Sequence, residues 1–407
     1  MSTVFSTDSK QGKKNDFQFF PESLVCKILS NISNGSIKIT MPSGRVFRYS
    51  ADISGPEAEI RIYRWRFLRK TLVGGHGEFF EGYRRGDWET SNLFSLLLFG
   101  EKNRNCIDKI FHISIGRRLL NRISHSANKN SRRGSRRNIA AHYDLGNRFY
   151  SLWLDKGMTY SSALFDKDVQ TLAEGQQNKY QKLIDLVKLK PGNRVLEIGC
   201  GWGGFSEIAA RDYGCTVTAL TLSREQEEYC KKRFDRLGLG DRIEVRLEDY
   251  RDAEGKFDTI ISIEMLEAVG EKFWPLYFKT IRDRMASGGR AAIQSIIIDG
   301  QQFKKYRKNP DFIQKYIFPG GMLPPEHEIE RLSDRMGLIL KDRVFFGDSY
   351  VKTLRFWHDE FIENWKQIKN LEFNEEFRRV WLYYLNYCAA GFQSGRINVG
   401  HFLFEQK

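Results

Sequence analysis

Val195-Leu196-Glu197-Ile198-Gly199-Cys200-Gly201-Trp202-Gly203-Gly204 is the stretch whose reading decides the fold. An apolar run of strand length stops at a glycine-rich turn, and GFSEIAARDY after it reads as a helix. The same alternation continues outward. Helix-like LAEGQQNKYQKLIDLVKL precedes the strand, and TVTALT, SREQEEYCKKRFDRLG, RIEVRL, FDTIISIEM, EKFWPLYFKTIRDRM and RAAIQSIII follow as strands and helices. Strands spaced by helices predict a parallel, doubly wound α/β sheet with right-handed crossovers. Glycines 199 and 201 let the backbone turn sharply and approach a ligand closely. In such a sheet the ligand lies beyond the carboxyl ends of the strands.

Gly199, Gly201 and Gly204 share the spacing of a dinucleotide-binding turn, but Glu197 stands on the strand ahead of them. A strand-borne acid before the turn is the pattern of class I, Rossmann-like methyltransferases. The next strand ends at Thr221, with Gln226 one turn into its helix, where nicotinamide enzymes place an acid to hold the ribose. Glu248 and Asp249 follow the third strand, where a polar contact to an adenine is expected; a capping or surface role suits either equally. The cofactor expected is therefore S-adenosylmethionine rather than a dinucleotide.

Of 407 residues, 41% are apolar and 14% aromatic, and the formal net charge is +14. A basic excess favours anionic partners without choosing among them. The cysteines are scattered, with no Cys-x-x-Cys pair, so neither a metal cluster nor a disulfide framework is expected and a reducing cytoplasm fits. No run reaches the roughly 18 apolar residues of a membrane span, so membrane contact would be peripheral. Residues 1–16 read as a disordered tail and residues 17–100 as a small α+β domain. In that domain two strands flank the Pro42–Gly44 turn, an apolar run ends at a glycine pair, and a helix is capped by Thr90 or Ser91. Residues 101–138 carry Arg117, Arg118, Arg122, Lys129, Arg132, Arg133, Arg136 and Arg137. They read as a basic linker, either simply solvated or a tether for anionic headgroups. No aromatic residues interleave with these cations, which argues against nucleic acid. Residues 139–407 form the catalytic domain.

HYDLGNRFYSLWLDKGMTYSSALF (142–165), LEIGCGWGG, LTLSREQ (220–226), IEMLEAVG (263–270), QKYIFPGGMLP (314–324) and VWLYYLNYCAAGF (380–392) together resemble the cyclopropane fatty acid synthases over residues 138–404. The resemblance implies methyl transfer from S-adenosylmethionine to a cis double bond of a phospholipid acyl chain, giving a methylene bridge. It also implies an unsaturated phospholipid at an anionic membrane surface as partner, with members often dimeric. Cofactor contacts carry over to Tyr160, Ser161, Gly199, Gly201, Thr221, Leu222 and Gln226. Attack of an alkene on a methyl sulfonium leaves a carbocation, which calls for a dry, aromatic-walled site. Tyr316, Phe318, Tyr350, Trp357, Trp381, Tyr384 and Phe392 are candidates. Phe377, Trp381, Tyr384, Cys388 and Phe392 share a helical face that serves equally well as plain core.

In the family a bound bicarbonate removes the last proton, held by a Cys, a Glu, a His, a backbone amide and a Tyr. The matching positions are Ser162, Glu267, Gln294, Ile296 and Tyr350. Ser162 and Gln294 depart from the pattern. A glutamine donates hydrogen bonds but cannot become cationic as a histidine can. Bicarbonate would lose a positive partner there, and Glu267 beside an anion would have its pKa raised. Glu267 is itself an alternative base. A methyl-branched or methylene product is the alternative to a ring. Rival readings are a same-fold enzyme for a soluble acceptor and a lipid-binding protein with a vestigial cofactor site. The Asn-Pro-Pro-Tyr type of motif of amino-methylating enzymes is replaced by IEMLEAVG.

Overall fold

The computed structural model describes residues 29–110, 134, 145–166, 168 and 171–407. The chain divides into two compact units, Met1–Arg122 with Phe373–Ser394, and Ile123–Glu372 with Gly395–Lys407. The tail 1–16 and the basic positions between 117 and 137 lie outside the described residues.

In the first unit β1 (Asn34–Thr40), β2 (Val46–Ser50), β3 (Ile53–Ile62) and β4 (Trp88–Glu89) form a sheet in the order β2-β1-β3-β4. The hairpin turn at Pro42–Gly44 closes with Gly44 at φ 83° and its N–H donating to the Met41 carbonyl. The glycine pair does not end an element, as the sequence suggested. Helix α1 (Trp65–Arg84) runs through it and kinks at Gly75, whose φ of 60° a residue without Cβ tolerates. Helix α2 (Leu93–Lys102) is capped by Asn92, which accepts from the Ser95 N–H, and not by Thr90 or Ser91. Those two hydroxyls are used elsewhere: Thr90 accepts from the Asn92 N–H and Ser91 donates to Glu59.

The aromatic helix Glu375–Gln393 packs in this unit. The Tyr383 ring lies 4.9 Å from Phe80 and 5.8 Å from Tyr83, and Arg379 pairs with Glu89 at 2.6 Å. Periodicity marks a buried face but not the core that receives it.

The second unit is built around the glycine turn. Its strands are β5 (Arg194–Ile198), β6 (Thr216–Thr221), β7 (Ile243–Leu247), β8 (Phe257–Ile263), β9 (Met285–Ile298), β10 (Leu338–Phe345) and β11 (Ile397–Gln406), in the order β10-β11-β9-β8-β5-β6-β7. Pairs from β9 through β7 are parallel, as expected, whereas β11 runs antiparallel to β9 and β10. Helix α3 (Leu172–Val187) precedes β5, α4 (Gly204–Tyr213) and α5 (Arg224–Arg236) fall in the β5–β6 and β6–β7 crossovers, and α6 (Leu266–Val269) and α7 (Trp274–Arg284) in the β8–β9 crossover. After them come α8 (Gly300–Lys308), α9 (Glu326–Arg335) and α10 (Gly347–Glu363).

Alternation along β5 sends Leu196 and Ile198 into one core with Trp274, Phe278 and Phe404. Val195 goes into another with Leu183, Phe205 and Phe234. Strand order reverses between β5 and β8, the place where an open α/β sheet leaves a crevice for a ligand. Among the described residues no helix is long and apolar enough to cross a membrane.

Candidate active site

The turn after β5 forms one wall of that crevice. Gly199, Gly201 and Gly203 all have positive φ, at 81°, 54° and 84°. The N–H groups of Gly199 and Cys200 both donate to the Leu220 carbonyl, tying the turn to β6. A Cβ on Gly201 would meet nothing within 4 Å, so the backbone there faces open space. That bare backbone at the carboxyl end of the first parallel strand fits a nucleoside cofactor. Thr221 and Gln226 are buried together, with the Thr221 hydroxyl donating to Gln226 Oε1 at 2.8 Å. Leu222 is half-buried, and so is Glu248, whose backbone N–H donates to the Thr221 carbonyl. Asp249 is committed to Arg251 at 2.6 Å.

Glu197 is buried beneath the turn and accepts a hydrogen bond from the Ser206 hydroxyl. Burial pushes its carboxyl up to about 8. Lys179 lies close by, fully enclosed; its ammonium donates to Ser161 Oγ at 2.9 Å, and burial pulls it down to about 8 against the pull of Glu264, Asp155 and Glu197. The Ser161 carbonyl accepts from Gln176 at 2.9 Å. Tyr160 sits in a box of rings whose centroids are 5.4 Å away for Tyr150, 5.4 Å for Trp153 and 5.2 Å for Trp357.

The turn after β8 forms the other wall, and here the chain places a residue that the sequence reading passed over. Glu264 adopts φ 51°, rare for a residue with a Cβ. Its N–H donates to the Gln294 carbonyl, which locks it to β9. Its carboxylate collects three donors: the Ser162 N–H at 2.8 Å, Gln294 Nε2 at 2.8 Å and the Tyr350 hydroxyl at 2.6 Å. The Gln294 amide is oriented by His401, its cross-strand partner on β11, 2.9 Å from Gln294 Oε1. Burial depresses the His401 imidazole to about 3, so the neutral ring donates through Nε2.

Glu267, on α6, is held differently. Its Oε1 accepts from Ser295 Oγ at 3.0 Å and from the Ile296 N–H, while its Oε2 is buried without a hydrogen-bond partner. Burial, with repulsion from Glu264 behind it, raises this carboxyl to about 8. Burial raises the Glu264 carboxyl too, but the Tyr350, Ser162 and Gln294 donors and the Lys179 charge pull against it, whereas Glu267 has fewer donors and a neighbouring carboxylate. The two environments thus favour the proton on Glu267 and the charge on Glu264.

All five positions proposed for a bicarbonate are thus brought together, but their donors are engaged. Tyr350, Gln294 and the Ser162 N–H point at Glu264, Ile296 points at Glu267, and the Ser162 hydroxyl donates to the Ala163 carbonyl at 2.8 Å. A free anion among these groups would face a carboxylate in place of donors. The residues present do not fit bicarbonate.

The crossed strand order, the bare glycine turn and the acids on the facing turn define a class I methyltransferase that uses S-adenosylmethionine. The family profile described as mycolic acid cyclopropane synthetase matches residues 130–402, and the chain belongs to that family. It is 37% identical over 341 residues to tuberculostearic acid methyltransferase UfaA1 of Mycobacterium tuberculosis, covering 80% of this chain and 78% of that protein. It is 32% identical over 362 residues to the cyclopropane-fatty-acyl-phospholipid synthase of Escherichia coli K12, covering 86% and 88%. The solved structure of mycolic acid cyclopropane synthase CmaA1 complexed with SAH and CTAB matches with a TM-score of 0.61 at 29% identity, over 67% of this chain and 98% of that one.

Proposed function

We propose that the chain methylates carbon at a cis double bond in the acyl chain of a phospholipid. The observation that carries this reading is the surroundings of the acids. Tyr160, Trp153, Tyr150 and Trp357 pack ring against ring, Tyr350 lies 6.1 Å from Trp357, and the Tyr350 hydroxyl touches Glu264. A dry aromatic wall beside one buried negative charge suits a developing carbocation, each desolvated ring face being worth about 2 kcal/mol. It suits an amine or hydroxyl acceptor poorly, since those need no such shelter.

S-adenosylmethionine, when bound, supplies a methyl group on a positively charged sulfur. Tyr160, Ser161, the bare backbone at Gly199 and Gly201, Thr221, Leu222, Gln226 and Glu248 are the residues proposed to hold it, with Glu197 bracing the turn from below through Ser206. The π pair of the alkene forms the new carbon–carbon bond and leaves a cation in the acyl chain. Rings exclude water from that cation, and one proton must then leave. Loss from the transferred methyl closes a ring.

A second reading keeps the methyl transfer and changes the product. A 1,2-hydride shift that moves the cation to the methyl-bearing carbon, followed by proton loss from the transferred methyl, gives a methylene and, after reduction elsewhere, a methyl branch. It is favoured by the departures at Ser162 and Gln294 and by the likeness to a tuberculostearic acid methyltransferase. The net charge of +14 supports approach to an anionic membrane surface. The test is purified protein with labelled S-adenosylmethionine and vesicles of unsaturated phospholipid. Labelled acyl chains heavier by one CH2 are expected, and proton NMR separates ring from methylene. Label passing to a soluble acceptor and never to lipid would overturn the reading.

A further inference from the structure

Glu264 has no counterpart among the residues that the family resemblance assigns to the site, yet the site is organised around it. Its left-handed φ, its backbone bond to Gln294, the three donors on its carboxylate and the His401–Gln294 relay all serve to fix one carboxylate. A strained conformation persists only where its surroundings over-determine it, and such places cluster at functional sites. Three of the donors are those that would otherwise receive a soluble oxyanion. Met265, the next residue, packs on Gly199, so the carboxylate stands at the switch point opposite the cofactor turn. A carboxylate has about four acceptor positions, and three are filled here, which leaves one on Oε2.

We propose that the Glu264 carboxylate is the built-in anion and general base of this enzyme, replacing an external bicarbonate. The inference rests on the alkene-methylation reading. The step balances within the site. A C–H bond beside the cationic carbon, or on the newly attached methyl, breaks. Its electron pair forms the double bond or closes the ring, and the proton passes to Glu264 and on to solvent after product leaves. Glu267, already protonated, stays out of the transfer and keeps a second negative charge away from the first.

The experiment replaces Glu264 with glycine, which accepts the positive φ and leaves a space the size of a carboxylate. Two readouts are taken. The first is binding of carbon-labelled bicarbonate by NMR, which needs no lipid. Wild type should bind none and Glu264→Gly should bind it. The second is turnover on unsaturated vesicles in carbonate-free buffer. Wild type should be unchanged by added bicarbonate, whereas Glu264→Gly should fall by about a hundredfold and regain about tenfold with bicarbonate but not with chloride. Glu264→Gln, which keeps the shape and fills the space, should lose turnover without rescue while still binding S-adenosylmethionine. Bicarbonate binding or stimulation in wild type would overturn the proposal, as would full turnover by Glu264→Gly without any added anion. If wild type labels no lipid at all, the alkene reading fails, and the binding readout still decides whether Glu264 fills an anion site.

Discussion

The two central strands of the sheet, β5 and β8, lie side by side and end in opposite ways. After β5 the chain turns through glycines with positive φ and open space at Gly201. After β8 it turns through Glu264 and Glu267, one carboxylate wrapped in donors and the other half-satisfied. One turn is stripped of side chains so that backbone can approach a ligand. The other buries charge where a reaction can use it. In the proposed reaction the crevice between them separates holding the methyl donor from managing the proton, and the two functions should fail separately when each turn is altered.

The largest effect should come from Glu264→Gln. Turnover should fall by at least about a hundredfold while calorimetry shows S-adenosylmethionine binding intact. Loss of binding instead would make the β8 turn part of the donor cleft and break the contrast. The pH dependence has a definite sign. The folded protein keeps the Glu267 proton up to about 8, well above an unfolded glutamate. The stability this lends is full below the ordinary carboxyl range and is lost as pH rises through about 8. Thermal melts of wild type should drop over that window, and the melts of Glu267→Gln should drop less.

Gly199→Ala ranks next, because it couples the two turns. An added Cβ would lie 2.3 Å from Met265 Cγ, and Met265 stands between the two glutamates. With the φ of 81° as well, the cost should be about 2 kcal/mol, felt as roughly a thirtyfold loss in kcat/KM and a lowered melting temperature. Affinity and turnover should decline together, which distinguishes it from Glu264→Gln. A loss confined to one of them would mean that the turns are uncoupled.

These two walls were not equally legible in the sequence. The β5 turn announces itself, since an apolar strand, glycines and a helix in a row leave few alternatives, and β5 through β9 fall where the alternation of residues places them. Glu264 does not announce itself. An acid beside a conspicuous Glu267 looks like any polar residue at a strand end, and only the pairing of Ile263 with Gln294 and the reach of Tyr350 from α10 gather its donors. The helix Glu375–Gln393 shows the same limit from another side. Its aromatic spacing is plain, but Tyr383 packs on Phe80 and Tyr83, three hundred residues and more earlier, and nothing local encodes that choice. The antiparallel β11 was missed because a strand buried on both faces reads as an apolar run without alternation. The aromatic wall is half legible in the sequence. Tyr350 and Trp357 stand out as candidates, whereas nothing local sets Tyr150 and Trp153 apart within the 142–165 stretch.

Tyr350→Phe sharpens the account of the acid wall. It removes one hydrogen bond of 2.6 Å to Glu264 and little volume. A bond to a charged group is worth about 1.5 to 3 kcal/mol, so turnover should fall about tenfold. The lost donor favoured the ionised carboxylate. The acid limb of the pH–rate profile should therefore move to higher pH, and an unmoved limb would mean that ionisation of Glu264 does not govern the rate.

Gly201→Ala should be the mildest change and the cleanest test of the glycine wall. No atom lies within 4 Å of the added Cβ, so packing is not disturbed. What remains is the φ of 54°, which costs an alanine about 1 kcal/mol. The methyl group would project into the space assigned to the cofactor. The dissociation constant for S-adenosylmethionine should rise several-fold, while turnover at saturating cofactor stays at the wild-type level. Gly203→Ala is the internal control. Its Cβ would lie 2.4 Å from Phe234 Cζ, in the core rather than the crevice, so it should lower the melting temperature more and the cofactor affinity less. If the two alanines behave alike, open space at Gly201 is incidental, and the β5 turn is a packing device rather than a floor for the donor.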